Sequence, residues 1–202
     1  NLPVLGKGSV GIVVAAQVST RRVALKIRRV DADRRGMEHE AEMLSKANGL
    51  GVGPRLFDLS QDFLLMDFIE GLLLPAWIPT VKGRGSAKRI RRVLLEILWQ
   101  CRKMDAAGLD HGELSRAPKH VIVGLEGKVH IVDFETASVR RRTSNVTSIC
   151  QYLFIGSQVA KTLRNRLGEI NRESLIAALR YYKRHPSERN FRRILEFTQL
   201  TE

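Results

Sequence analysis

Asp110–Glu135, DHGELSRAPKHVIVGLEGKVHIVDFE, sets the reading of the whole chain. It divides into a polar loop over 110–119, an apolar strand over 120–124, a glycine-containing turn, a second apolar strand over 128–132, and then Asp133. Two short antiparallel strands therefore carry two carboxylates, Glu113 and Asp133, on their flanks. Loops held by a rigid hairpin are where reactive groups tend to sit. Acids spaced in this way can serve one phosphate-and-metal site.

The rest of the composition permits such a site and excludes several others. With 202 residues, 44% of them hydrophobic, the chain can bury a full core in one domain or in two small lobes. No apolar run approaches 20 residues and no apolar stretch with a cleavage pattern opens the chain, so neither a membrane span nor a signal peptide is expected. Cys101 and Cys150 lie in apolar helical patterns and form no C-x-x-C, which points to reduced core thiols and a cytoplasmic protein. The net charge is +13, with 24 arginines against 10 lysines. A field that positive favours acidic partners such as RNA or a ribosome, and equally describes a solvated Arg-rich surface.

Upstream, Gly6-Lys7-Gly8-Ser9-Val10-Gly11 precedes the β-branched run Ile12–Val18. A dinucleotide-binding turn of this pattern needs a helix after the glycines. Here a strand follows, then a turn at 19–22 and a second strand with Val23-Ala24-Leu25-Lys26, which reads as a hairpin. Glycines at a hairpin tip let backbone close over phosphates, and Lys26, 15 residues after Gly11, can reach back to them. From 34 to 48 the period turns helical, with Met37, Ala41 and Leu44 inward. Glu40 shares that face while Glu38 and Glu42 do not, and an inward acid needs a cation, for which Lys26 is the candidate and Glu42 the alternate partner.

A further hairpin over 56–59 and 63–68 completes about five strands, and Leu64–Gly71 leaves the sheet as a linker. A connection with Pro75, Pro79, Gly83 and Gly85 leads to the clearest helix, about 86–107, with Ile90, Val93, Leu94, Ile97, Cys101 and Met104 in one stripe. Ser86 is its expected N-cap and Gly108 its stop. Beyond Glu135 the pattern predicts helices near 144–167, 172–184 and 188–199.

In this order the motifs resemble those of protein kinases: a glycine loop, a V-A-L-K strand, a helix glutamate, a linker, His111-Gly112-Glu113-Leu114 for H-x-D-L, and Asp133-Phe134-Glu135 for D-F-G. The set looks most like the small atypical lineage of RIO kinases and the KEOPS kinase subunit, and closer still to an archaeal group of predicted serine/threonine kinases. The resemblance implies an α+β, two-lobed kinase-like domain. Residues 1–70 would form a small antiparallel N-lobe sheet with one helix, and 71–202 a mainly helical minimal C-lobe. It further implies an ATP-dependent, magnesium- or manganese-assisted phosphotransferase acting on protein. Gly6, Lys7, Gly8, Ser9 and Gly11 would cover the phosphates, and Lys26, held by Glu40, would align them. Val13 and Ala24 would belong to the nucleotide site and Met66 would control access to the back of the pocket, with the Asp67 carbonyl and Ile69 amide reading the base. Asp133 would be the principal metal ligand.

Three departures accompany the likeness. Glu113 stands where the family has its catalytic aspartate and is one methylene longer. Pro118, Lys119 and His120 occupy the region of the family's metal-binding asparagine, which makes His120 the second metal candidate. Glu135 replaces the glycine of D-F-G and could supply a further carboxylate. Two other functions stay open: a nucleotide-gated module binding RNA or ribosomes through Arg-rich surfaces, and a small-molecule kinase resembling aminoglycoside phosphotransferases.

Overall fold

The computed structural model describes residues 2–8, 10–31 and 34–201, with Arg34 described by its backbone alone. Five antiparallel strands, β1 (Val4–Lys7), β2 (Gly11–Val18), β3 (Arg21–Arg28), β4 (Leu56–Leu59) and β5 (Phe63–Asp67), form one sheet in the order β1-β2-β3-β5-β4. Helix α1 (Arg34–Gly49) bridges β3 and β4. Register decides which side chains share a face. Val13 lies opposite Lys26 and Ala15 opposite Ala24, while β5 sets Leu64 against Lys26 and Met66 against Ala24. Directly paired residues of antiparallel strands point to one face, so Val13, Ala24, Lys26, Leu64 and Met66 line the same side of the sheet.

Three stretches depart from the sequence reading. The Pro-containing connection holds a strand, β6 (Gly71–Leu73), and a helix, α2 (Leu74–Thr80), that the apolar pattern did not announce. Pro75 sits in the first turn of α2, where its missing N–H costs nothing. Strand β6 pairs with β7 (Val121–Gly124), and β7 pairs with β8 (Val129–Ile131), so the central hairpin carries a third strand on its edge. In α3 (Ser86–Ala106) the N-cap is Gly85, in the left-handed region, and Ser86 is the first helical residue. The single helix expected over 144–167 is three pieces: α4 (Asn145–Cys150), a π-helical turn (Gln151–Ile155) and α5 (Gln158–Leu167). The break falls at Gly156-Ser157, where Ser157 accepts from the Ala160 amide and starts a new helix. The last helices, α6 (Arg172–Arg184) and α7 (Glu188–Phe197), begin at Asn171 and Ser187, whose side chains cap Ser174 and Asn190.

The α3 stripe is wholly buried, and it packs with both cysteines, which are unpaired thiols, into a core shared with α1, the central hairpin and α4 to α7. Among the described residues no helix is long and apolar enough to cross a membrane.

One polar knot ties this core together. The Asp105 carboxylate, at the end of α3, accepts from the Asn145 amide and side chain at 2.9 Å, from the Val146 amide at 3.2 Å and from the Tyr182 hydroxyl at 3.1 Å. Burial nevertheless holds its carboxyl above the ordinary range, its four donors offsetting only part of that. Asn145 in turn donates to the Leu109 carbonyl and accepts from the His111 amide at 2.8 Å. Asp105→Ala strands several buried donors at once and is expected to lower unfolding stability by about 3 kcal/mol in urea titration. Glu42→Ala, at an exposed pair with Lys46, should stay within about 0.5 kcal/mol of the parent.

Candidate functional site

The glycine turn lies at the open end of the β2–β3 hairpin. Gly6 and Lys7 belong to β1, opposite Val13 and Ile12, and the Gly8 amide donates to the Gly11 carbonyl at 2.8 Å to close the turn. Ser9 lies outside the described residues. A Cβ at Gly11 would stand 2.7 Å from the Ile27 carbonyl oxygen and 3.1 Å from Cγ of Lys26, so only glycine lets β2 begin directly against the lysine. Sequence reasoning missed a second close approach. A Cβ at Gly36 in α1 would meet Cγ2 of Val10 at 2.9 Å, which seats the turn on the helix.

Beneath the turn, Lys26 is 3% exposed and Glu40 4%. Lys26 Nζ donates to Glu40 Oε2 at 2.5 Å and to Glu135 Oε2 at 3.0 Å. Burial works against the ammonium, but attraction and hydrogen bonding from Glu40, with help from Asp133 and Glu135, hold Lys26 above its ordinary value. Glu40 is pushed up by burial and by its acidic neighbours Asp133 and Glu135, against the pull of Lys26. Glu42, the alternate partner, points outward to Lys46.

The central hairpin brings the other acids to this place. Asp133, just after β8, holds φ at 72°, a left-handed conformation that costs a non-glycine residue energy and that the surrounding structure must hold in place. Its carboxyl is held below the usual range by the hydrogen bond with His120, against partial burial, and by the charge of Lys26. Nε2 of His120 lies 3.2 Å from Glu113 Oε2 and 3.6 Å from Asp133 Oδ2, so one imidazole joins the two flanking acids. Both carboxylates are half-exposed. Nδ1 of His120 is buried without a partner, as is Nδ1 of His111. An orphaned N–H is costlier than an orphaned lone pair, which puts the His120 proton on Nε2, facing the acids.

Phe134, 1% exposed, packs between α1 and the 51–54 turn: a Cβ at Gly53 would meet its ring at 3.0 Å and Leu44 at 3.1 Å. His39 of α1 bonds the Ala137 carbonyl at 2.7 Å. The segment after Asp133 is thereby fastened to the helix that carries Glu40. Asp110 is committed elsewhere, accepting from Arg141 Nε at 2.5 Å and from the Ser144 amide at 2.8 Å. Gly112, at φ 93°, leaves room for that arginine, whose Nη2 would stand 2.2 Å from an added Cβ.

Of the residues expected in the nucleotide pocket, Met66 and Ala24 are buried on the Lys26 face, and Val13 is half-buried there. The Asp67 side chain takes Arg21 at 2.6 Å, and residues 68–70, outside any helix or strand, link it to β6. The arginine runs are partly engaged within the molecule. Arg21 and Arg22 lie over the Phe57 and Phe68 rings, Arg89 donates to the Lys82 carbonyl, and Arg142 donates to the Lys183 carbonyl.

No family model matches the chain. A protein of Methanocaldococcus jannaschii named uncharacterized protein MJ1211 is 29% identical over 102 residues, which is 50% of this chain and 83% of that protein.

His111 is wholly buried; its Nε2–H donates to the Val132 carbonyl at 3.0 Å, and its pKa is lowered to about 4, chiefly by burial. A histidine depressed in the folded state stays neutral while the unfolded chain takes up a proton below its ordinary value near 6.5. Its contribution is therefore complete at pH 7 and is lost as pH falls from about 6.5 to about 4, by about 3 kcal/mol. Denaturant unfolding at stepped pH should show this slope, and His111→Gln should flatten it.

Proposed function

We propose that the chain binds ATP with a divalent metal and transfers the terminal phosphoryl group to a serine or threonine hydroxyl of a protein. The observation that carries this reading is the buried Lys26–Glu40 pair, held under a glycine turn and beside Asp133. A lysine ammonium fixed by a helix carboxylate under closely packed backbone is suited to phosphate oxygens. In this reading the five-stranded sheet with α1 is the smaller lobe of a kinase-like fold, and the chain from β6 onward is the larger. The base would lie against Val13, Ala24 and Met66, with the Asp67 carbonyl and Ile69 amide as its hydrogen-bonding partners.

The donor set fits a hard cation. Among the described residues no three His, Cys, Asp or Glu side chains are grouped to hold an ion by themselves. A magnesium ion needs only one or two carboxylates when phosphate oxygens and water complete its shell. Asp133 would hold it, and when bound it neutralises charge on the transferring group. His120, with its proton on Nε2, orients Glu113 as a donor at 3.2 Å and lies 3.6 Å from Asp133. Glu113 accepts or orients the proton of the attacking hydroxyl.

Lys26 is also shared with Glu135, which favours a second reading as a nucleotide-gated binding module without transfer. The deciding experiment is phosphate transfer from labelled ATP, with magnesium or manganese, to the protein itself and to cell extract. Magnesium and ATP should raise the melting temperature of the parent by mass action, and Lys26→Ala should weaken that shift. Glu113→Gln should keep the shift while transfer falls roughly 100-fold, whereas Asp133→Asn should diminish both. A thermal shift with no transfer by the parent would leave the binding module as the function. No shift at millimolar ATP would remove both readings.

A further inference from the structure

The Glu135 carboxylate lies where an incoming anion would have to sit. Its Oε2 is 3.0 Å from Lys26 Nζ, and a Cβ placed on Gly8 would stand 3.3 Å from the same oxygen. That oxygen is thus enclosed between the ammonium and the backbone of the glycine turn. Glu135 is 16% exposed at its side chain, and Lys26 4%. Glu135 follows Phe134, which is locked beneath α1, and precedes Ala137, which His39 holds from the same helix. Its backbone is therefore anchored on both sides while its carboxylate end reaches forward to the turn.

The charge balance gives this contact its effect. Glu40, Asp133 and Glu135 all act on the one ammonium of Lys26. An ammonium has three donors, and two of them are already directed at Glu40 and Glu135. A phosphate oxygen approaching Lys26 meets a surplus of negative charge and a competitor already bonded to the lysine. Such competition between anions is strong where water is scarce.

We propose that Glu135 is a tethered anion that occupies the phosphate seat between the glycine turn and Lys26, so that a polyphosphate ligand enters only by displacing it. This rests on the nucleotide-binding reading for the identity of the ligand, but the seat itself is defined by Lys26, Gly8 and Glu135. The device makes the site latent: metal-free polyphosphate is rejected, and whatever draws the Glu135 carboxylate off Lys26 opens it.

Calorimetric titration of the parent, Glu135→Gln and Glu135→Ala tests this, using tripolyphosphate and ATP as separate probes, in EDTA. Glu196→Gln, an exposed acid of α7, serves as the control, and thermal melting of each variant verifies that it is folded. Both Glu135 variants should bind either probe roughly tenfold or more tightly than the parent, the scale of removing one charge-assisted competitor. The gain should vanish in the double variant Lys26→Met/Glu135→Gln. If parent and Glu135 variants bind equally well, the tethered anion is refuted while the nucleotide reading stands. A gain for tripolyphosphate with none for ATP upholds the seat and removes the nucleotide. A gain that survives in the double variant, or no binding by any protein, overturns the proposal.

Discussion

Lys26 reaches its position by a condition that the rest of the molecule must meet. A buried ammonium is tolerated only when carboxylates surround it with good geometry. Here one comes from α1 and the other from the segment after β8, 95 residues further along the chain. The sheet, the helix and the central hairpin are thereby held in one relation, because moving any of them would leave a charge without its partner. Removing such a partner costs more than the pair contributes, so the contact acts as a specification of geometry more than as a source of stability.

The hairpin can meet that condition because it is fastened from behind. Asp105 and Asn145 join the end of α3, the start of α4 and the backbone at His111 through hydrogen bonds that are all buried. Phe134 and His39 join the far side to α1. Between these two anchors the exposed ends of Glu113 and Asp133 remain open to solvent, with His120 between them. Rigid backbone with half-exposed acids is the arrangement in which loops carry chemistry. The left-handed backbone at Asp133 shows that the fold holds this acid in a conformation its own preferences disfavour.

Much of this was legible before any coordinates. Alternation and β-branching located the strands, since a half-buried strand must alternate, and the three-and-four spacing of Met37, Ala41 and Leu44 placed Glu40 inward. An inward acid demands a cation, and Lys26 was the apolar-flanked lysine at hand. Asn171 and Ser187 declared their helices through short-range capping. Where local signals conflicted, the reading failed. Pro75 suggested a loop although proline suits a first helical turn. A periodic run across Gly156-Ser157 concealed a break that a serine cap decides.

What the sequence by itself determined, then, is what short-range periodicity and the cost of burying charge dictate: the order of the elements apart from β6, α2 and the break after α4, the inward faces, and the Lys26–Glu40 partnership. The tertiary structure alone decided that Glu135 shares the same lysine, that His120 joins Glu113 to Asp133, that Asp110 belongs to Arg141, and that Asp105 underpins the loop. These contacts link residues 31 to 109 positions apart, except those of His120 with the acids flanking it. No pattern along the chain encodes them, because nothing in the local sequence says which distant group a carboxylate will meet. Its partner is settled only when closed loops bring a cation or a hydrogen-bond donor within about 3 Å.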